Sequence, residues 1–121
     1  MSKSTLVLGA SDNSSRYSYL AVHKLISYGH PVKAIGKHKG SVATDVAIET
    51  EKQPYDAIDT VTLYINPAHQ KEYYDYILSL KPKRIIFNPG TENPELEELA
   101  RNNHIEAVEA CTLVMLSTGQ Y

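Results

Sequence analysis

Short apolar runs alternate along the chain with segments in which apolar residues recur at helical spacing. The runs at residues 5–8, 32–35, 60–65, 84–87 and 105–109 are typical of buried strands. Because helical spacing separates these runs, the pattern predicts parallel strands that are connected by helices on both faces of one sheet.

Local signals mark where the predicted helices begin and end. Apolar residues between 21 and 26 share one helical face, and Gly29 stands where a left-handed C-terminal cap is expected. Asn66 and Asn93 are predicted N-caps, because each precedes a proline at the favoured first helical position. A last helix is predicted over residues 112–117.

The segment from residue 36 to residue 59 has a weaker pattern. Glycines and a proline interrupt it, and only residues 42–43 and 46–48 resemble strands. We expect a mobile loop and a short edge strand there, with at most one helical turn. The predicted fold class is α/β: a three-layer Rossmann-like fold, with an open parallel sheet of about five strands and helices on both faces, in a single domain over residues 1–121.

Composition and charge narrow the classes of function. The formal net charge of −2 argues against non-specific binding to nucleic acid, which depends on a basic surface. No apolar run approaches the roughly 20 residues of a membrane-spanning helix, and the N-terminus lacks a signal peptide's apolar segment, so we expect a cytoplasmic protein. The five histidines show no metal-ligand spacing, and a lone Cys111 is more often a buried small residue than a nucleophile, so neither a metal site nor cysteine catalysis is expected.

The turn after the first strand carries the candidate chemistry. Gly9 interrupts the apolar run, small polar residues follow, and Arg16 stands just before the predicted helix. Such a turn brings backbone N–H groups and the positive end of a helix to one point, which suits a phosphate group. If the winding of the sheet reverses beside the first strand, residues 9–11 and 64–67 line one crevice at the carboxyl ends of the strands, with residues 88–90 next along the same edge.

The residues after the second strand limit the choice of nucleotide. A dinucleotide fingerprint requires Gly-x-Gly-x-x-Gly and an acidic residue near the end of that strand, whereas this chain has only the first glycine, Gly9. Lys37, His38 and Lys39 stand where the acidic residue is expected. Because a lysine cluster attracts a further phosphate on the ribose, the sequence disfavours NAD and allows NADP or coenzyme A (CoA).

Taken together, these segments resemble the stand-alone CoA-binding domain family, which is similar to the CoA-binding domain of the succinyl-CoA synthetase α subunit. The resemblance covers nearly the whole chain and rests on residues 8–11, 16–18, 64–67, 88–90 and 110–112. It implies a Rossmann-like domain that binds CoA across the carboxyl edge of its sheet.

The resemblance also implies a role for individual residues. The glycine turn and Arg16 would hold the pyrophosphate, Lys37 would lie near the ribose phosphate, and residues 88–90 would approach the pantetheine arm. Residues 64–67 would form the opposite wall of the crevice. The implied ligand-binding residues are Gly9, Ala10, Ser11, Arg16, Tyr17, Ser18, Lys37, Tyr64, Asn66, Pro67, Asn88, Pro89 and Gly90.

Three functions remain open at this point. The first is a module that binds CoA or acyl-CoA without catalysis, because the sequence offers no acid–base pair and no room for a substrate domain. The second is a small NADP-dependent oxidoreductase. The third is a ligand-sensing or scaffold protein that has lost nucleotide binding and packs on another chain, or on a second copy, through its terminal helix.

Overall fold

Seven strands and five helices follow one another along residues 2–121, the part of the chain that the computed structural model describes. In chain order they are β1 (Thr5–Leu8), α1 (Tyr17–Ser27), β2 (Val32–Ile35), β3 (Gly40–Ala43), β4 (Val46–Glu49), β5 (Thr60–Leu63), α2 (Pro67–Gln70), α3 (Tyr74–Leu80), β6 (Arg84–Phe87), α4 (Pro94–Asn102), β7 (Glu106–Glu109) and α5 (Thr112–Ser117). A short 3-10 turn, Lys71–Tyr73, joins α2 to α3.

The strands form one sheet in the order β3-β4-β2-β1-β5-β6-β7. All neighbouring pairs are parallel except β3 and β4. The winding reverses at β1, which lies between β2 and β5, so the predicted α/β class and the predicted reversal are both confirmed. Leu8 is in register with Ile35 and Leu63, so these three strands end level and the loops after them emerge side by side.

The sheet has more strands than expected because residues 40–49 form an antiparallel hairpin at its edge. Its second strand, β4, pairs with β2, and no helical turn is assigned between β2 and β5. Val42, Val46 and Ile48 are buried against the α1 side of the sheet. The strands of the hairpin are buried at only one or two positions each, whereas β1, β5 and β6 are buried throughout, so their sequence signal is weaker.

Each face of the sheet packs against its own pair of helices. The central strands place Leu6, Leu63 and Phe87 against α3 and α4, and they place Val7 and Ala34 against α1 and α5. All four residues of β1 are buried, so the turn after it begins at the centre of the sheet.

The predicted helix caps are confirmed. The Asn66 side chain accepts a hydrogen bond from the Ala68 N–H at 2.7 Å, and the Asn93 side chain accepts from the N–H groups of Glu95 and Leu96. Gly29 follows α1 with a φ of 84°, in the left-handed region that favours glycine.

Candidate functional site

A cavity of about 560 Å³ opens at the carboxyl edge of the sheet, where β4, β2, β1 and β5 end. Its size is in the range of small-molecule binding sites. The sequence-predicted residues that line it are Gly9, Ala10, Ser11, Arg16, Tyr17, Ser18, Lys37, Tyr64 and Asn66.

The turn after β1 requires glycine for two reasons. Gly9 has a φ of 99°, and a Cβ atom there would lie 2.8 Å from the backbone carbon and oxygen of Tyr64. The N–H groups of Gly9 and Ala10 both donate to the carbonyl oxygen of Ile35, at 2.8 and 2.9 Å. These two N–H groups already have an acceptor within the protein, so the pyrophosphate contact predicted for this turn depends on donors further along it.

A second glycine, Gly36, keeps the turn after β2 close to the turn after β1. A Cβ atom on Gly36 would lie only 2.2 Å from the carbonyl oxygen of Ala10, a distance that no side chain tolerates. Gly36 is not among the ligand-binding residues predicted from the sequence. Its position directly after a predicted strand was the available signal.

The donors that are free lie further along the same turn. Within residues 2–121, no acceptor is found for the N–H groups of Ser11 and Asp12, nor for those of the first helical turn, Tyr17 to Tyr19. Arg16 is the N-cap of α1 in an extended conformation, and its side chain makes no capping bond. The positive end of the helix dipole and a guanidinium group therefore both face the cavity.

Charged side chains are distributed unevenly along the cavity. Lys37 and His38 lie at the β2 end, and Arg16 precedes α1 after the neighbouring strand β1. One carboxylate, that of Asp12, also lies at this end, beside the loop after β2. At the other end, His69 and Glu72 project from α2 and the 3-10 turn. The arrangement suits a ligand that carries its negative charges at the β1 and β2 side.

The wall after β5 is formed by Tyr64 and a helix cap. Tyr64 lines the cavity, while its phenol oxygen is buried near Thr62 and Thr112, and this burial raises the pKa of the phenol well above the ordinary value. Asn66 also lines the cavity, although its side-chain oxygen is engaged in capping α2. Pro67, the first residue of α2, does not line it.

Residues 88–90 lie outside the cavity. The buried Asn88 side chain donates to the Thr62 hydroxyl at 2.7 Å and to the Leu63 carbonyl at 2.8 Å, and it accepts from the Thr112 N–H at 2.9 Å. Its hydrogen-bonding capacity is thus used in joining β5, β6 and α5. Pro89 and Gly90 are exposed beside it and do not line the cavity, so a contact of this loop with the pantetheine arm stays a prediction.

Sequence patterns did not single out several cavity residues. Asp12 lies in the same turn as Gly9, and Ile65 lies in the predicted wall, whereas the fold brings in the remaining ones: Ile35, Ile48, His69, Glu72 and Tyr73. Cys111, the partly buried N-cap of α5, is not among the cavity-lining residues. Across the described residues, no group of three or more His, Cys, Asp and Glu side chains is arranged to hold a metal ion, and no helix is long and apolar enough to span a membrane.

Comparison with known proteins assigns the family. Residues 3–117 match the family described as the CoA binding domain. The chain belongs to this family. Membership in the CoA binding domain family supports CoA binding in general, and therefore supports a small molecule as the ligand. No curated protein matches the chain.

Solved structures share the fold of this chain. One crystal structure of an uncharacterized protein is 54% identical over 100% of this chain and 99% of that chain, with a TM-score of 0.97. A protein from Thermus thermophilus is 21% identical over 98% of this chain and 90% of its own length, with a TM-score of 0.82. A hypothetical protein from Pyrococcus horikoshii OT3 is 20% identical over 96% and 82%, with a TM-score of 0.85. At these two lower identities, the likeness concerns the fold alone.

Proposed function

We propose that the chain binds CoA or acyl-CoA in the cavity at the carboxyl edge and does not transform it. The observation that carries this proposal is a group of four free N–H donors on residues that line the cavity together with Arg16: Ser11, Asp12, Tyr17 and Ser18. Backbone donors at a helix N-terminus bind phosphate oxygens without a specific side chain. A diphosphate is the part of CoA that such donors fit.

The order of charges along the edge favours one orientation of the ligand. Adjacent strands are about 4.8 Å apart, so β4, β2, β1 and β5 span about 14 Å. CoA has a phosphorylated ribose at one end and a neutral pantetheine arm at the other. The phosphorylated end would lie beside Lys37, whereas the pantetheine arm would extend toward Tyr73, since Glu72 at that end repels phosphate groups.

The absence of turnover is part of the proposal. His69 and Glu72 are the acid–base groups at the pantetheine end, and both are exposed to solvent at the rim of the cavity. The phenol of Tyr64 keeps its proton because burial raises its pKa. With this set of residues, the cavity can hold and orient a thioester, but it does not enclose the reacting bond.

Titration calorimetry with CoA, acetyl-CoA, NADP and NAD tests the binding proposal. We expect CoA and acetyl-CoA to bind, and we expect Arg16→Ala to weaken both on the order of tenfold or more, because a charge-assisted contact to phosphate is lost. Lys83→Ala is the matched control, since it removes one positive charge from a side chain that is 86% exposed and lies before β6, at the opposite edge of the sheet. The proposal fails if CoA gives no heat, and tighter binding of NADP than of CoA would favour the oxidoreductase function instead.

A separate assay tests the absence of turnover. The protein is incubated with acetyl-CoA, and the free thiol is measured with a thiol reagent. We expect thiol release at the rate of buffer alone. Release that depends on protein concentration and disappears in His69→Ala would show that the chain is a thioesterase.

A further inference from the structure

Asp12 brings a carboxylate to the end of β2, although it belongs to the turn after β1. A Cβ atom built on Gly40 would lie 2.7 Å from Oδ2 of Asp12, so this oxygen lies against the open face of the glycine. Gly40 begins β3 and directly follows Lys37, His38 and Lys39. The carboxylate therefore lies beside the basic loop, at a place where the local sequence contains no acidic residue.

The Asp12 carboxylate is free to accept hydrogen bonds. Asp12 lines the cavity, and within residues 2–121 its carboxylate receives no hydrogen bond and forms no salt bridge. Lys37 and His38 line the same part of the cavity. An acceptor for hydroxyl groups and a positively charged group for phosphate are thus available side by side.

This pair of groups has a defined chemical consequence at a ribose. In dinucleotide-binding folds, a carboxylate near the end of the second strand accepts a hydrogen bond from the ribose 2′-hydroxyl, and it repels a phosphate at that position. CoA carries its ribose phosphate on the 3′-oxygen and keeps the 2′-hydroxyl free. NADP carries the phosphate on the 2′-oxygen.

We infer that Asp12 accepts a hydrogen bond from the ribose 2′-hydroxyl while Lys37 holds the 3′-phosphate, so that the site selects a 3′-phosphorylated adenosine over a 2′-phosphorylated one. This inference rests on the proposed binding of CoA and adds the residue that separates CoA from NADP. It also assigns a role to Gly40, because any side chain at that position would displace the Asp12 carboxylate.

The test compares the affinities of CoA and NADP for five proteins: the unchanged chain, Asp12→Ala, Asp12→Asn, Gly40→Ala and Asp45→Asn. Asp12→Ala should weaken CoA on the order of tenfold through loss of a hydrogen bond to a charged group, and should strengthen NADP by removing repulsion. Asp12→Asn keeps an acceptor, so CoA binding should fall less. Gly40→Ala keeps the charge but moves it, and should also lower the ratio of CoA to NADP affinity.

Asp45→Asn is the control, because Asp45 is exposed in the turn of the same hairpin and is not among the cavity-lining residues. Its ratio of CoA to NADP affinity should equal that of the unchanged chain. Circular dichroism and thermal unfolding establish that each variant is folded. If CoA binds the unchanged chain and the ratio is the same in Asp12→Ala, the inference is overturned while the proposed function stands. If CoA does not bind the unchanged chain at all, both fail.

Discussion

Two loops at the carboxyl edge of the sheet look alike in sequence and differ in what they do. The loop after β1 and the loop after β6 both follow a buried strand, and both contain glycine and small polar residues. The first leaves backbone N–H groups and charged side chains facing a cavity. The second directs its polar side chain into the protein, where Asn88 forms three hydrogen bonds.

The difference lies in whether the hydrogen-bonding capacity of a polar group is already used. The network at the second loop continues through Gln70, which is fully buried and donates to the carbonyl groups of Ile65 and Thr91. Asn93 then donates to the Gln70 side chain. Buried polar groups of this kind stabilise the fold, whereas groups that remain free are available to a ligand.

Asn88→Ala should have the largest effect, and the effect should be on stability. It removes three hydrogen bonds and leaves the buried Thr112 N–H without its acceptor, so we expect a loss of about 3 kcal/mol in the free energy of unfolding. Urea unfolding followed by circular dichroism measures this. CoA affinity of the folded protein should not change; a stable variant with weakened CoA binding would assign Asn88 to the ligand site. Asn102→Ala, at the exposed end of α4, is the control.

Gly36→Ala and Gly90→Ala add the same methyl group beside the first loop and in the second loop, so their effects on stability and CoA binding can be compared directly. The methyl group on Gly36 would collide with the Ala10 carbonyl, so this variant should lose about 2 kcal/mol of stability and bind CoA more weakly. Nothing lies within 4 Å of a Cβ on Gly90, but its φ is 92°, so its variant should lose about 1 kcal/mol and keep its CoA affinity. Calorimetry and urea unfolding on both variants check this, and equal effects on CoA binding would contradict the distinction.

Lys37→Ala should affect one phosphate group of the ligand. Because Lys37 is exposed, the lost attraction should weaken CoA about fivefold, which corresponds to an exposed ion pair of ~1 kcal/mol. Dephospho-CoA lacks the 3′-phosphate, so its affinity should be the same in both proteins. Calorimetry with the two ligands measures the difference. An equal loss for both ligands would place Lys37 near another part of the molecule.

The smallest expected effect concerns pH and the opposite edge of the sheet. Burial, with the nearby charges of Lys3 and Arg84, lowers the pKa of His30 below its ordinary value of 6.5. The unfolded chain therefore binds a proton at His30 before the folded one does, and stability falls as the pH drops from about 6.5 through the folded pKa. Comparing thermal unfolding of the unchanged chain and His30→Gln on both sides of this range should show a steeper loss in the unchanged chain. Equal pH dependence of the unchanged chain and His30→Gln would show that His30 does not cause the loss of stability.

The parts of the fold that depend on neighbouring residues could be predicted from the sequence. The apolar runs and the caps at Gly29, Asn66 and Asn93 depend on neighbouring residues, and all of them are confirmed. The hairpin of β3 and β4 was predicted only in part, as one edge strand with two strand-like segments. Only Val42 in β3 and Val46 and Ile48 in β4 are buried, against α1, so these strands lack the continuous apolar runs of the central strands.

The site could be predicted only in part, for the same physical reason. The turn that carries Gly9 and Arg16 is local, and both residues line the cavity. The use of the Gly9 N–H by Ile35 and the position of Asp12 against Gly40 depend on contacts between separate loops, which no sequence pattern records. Asn88 resembled a ligand residue because sequence does not reveal whether its side chain points into the protein.

Amide NMR during a titration with CoA tests the central claim most directly, since it reports on both loops in one experiment. We expect the largest shifts at the N–H groups of Ser11, Asp12 and Tyr17 to Tyr19, with a smaller shift at Lys37. Gly90 and Thr91 should not change. Largest shifts in residues 90–93, or no shifts at saturating CoA, would contradict the account.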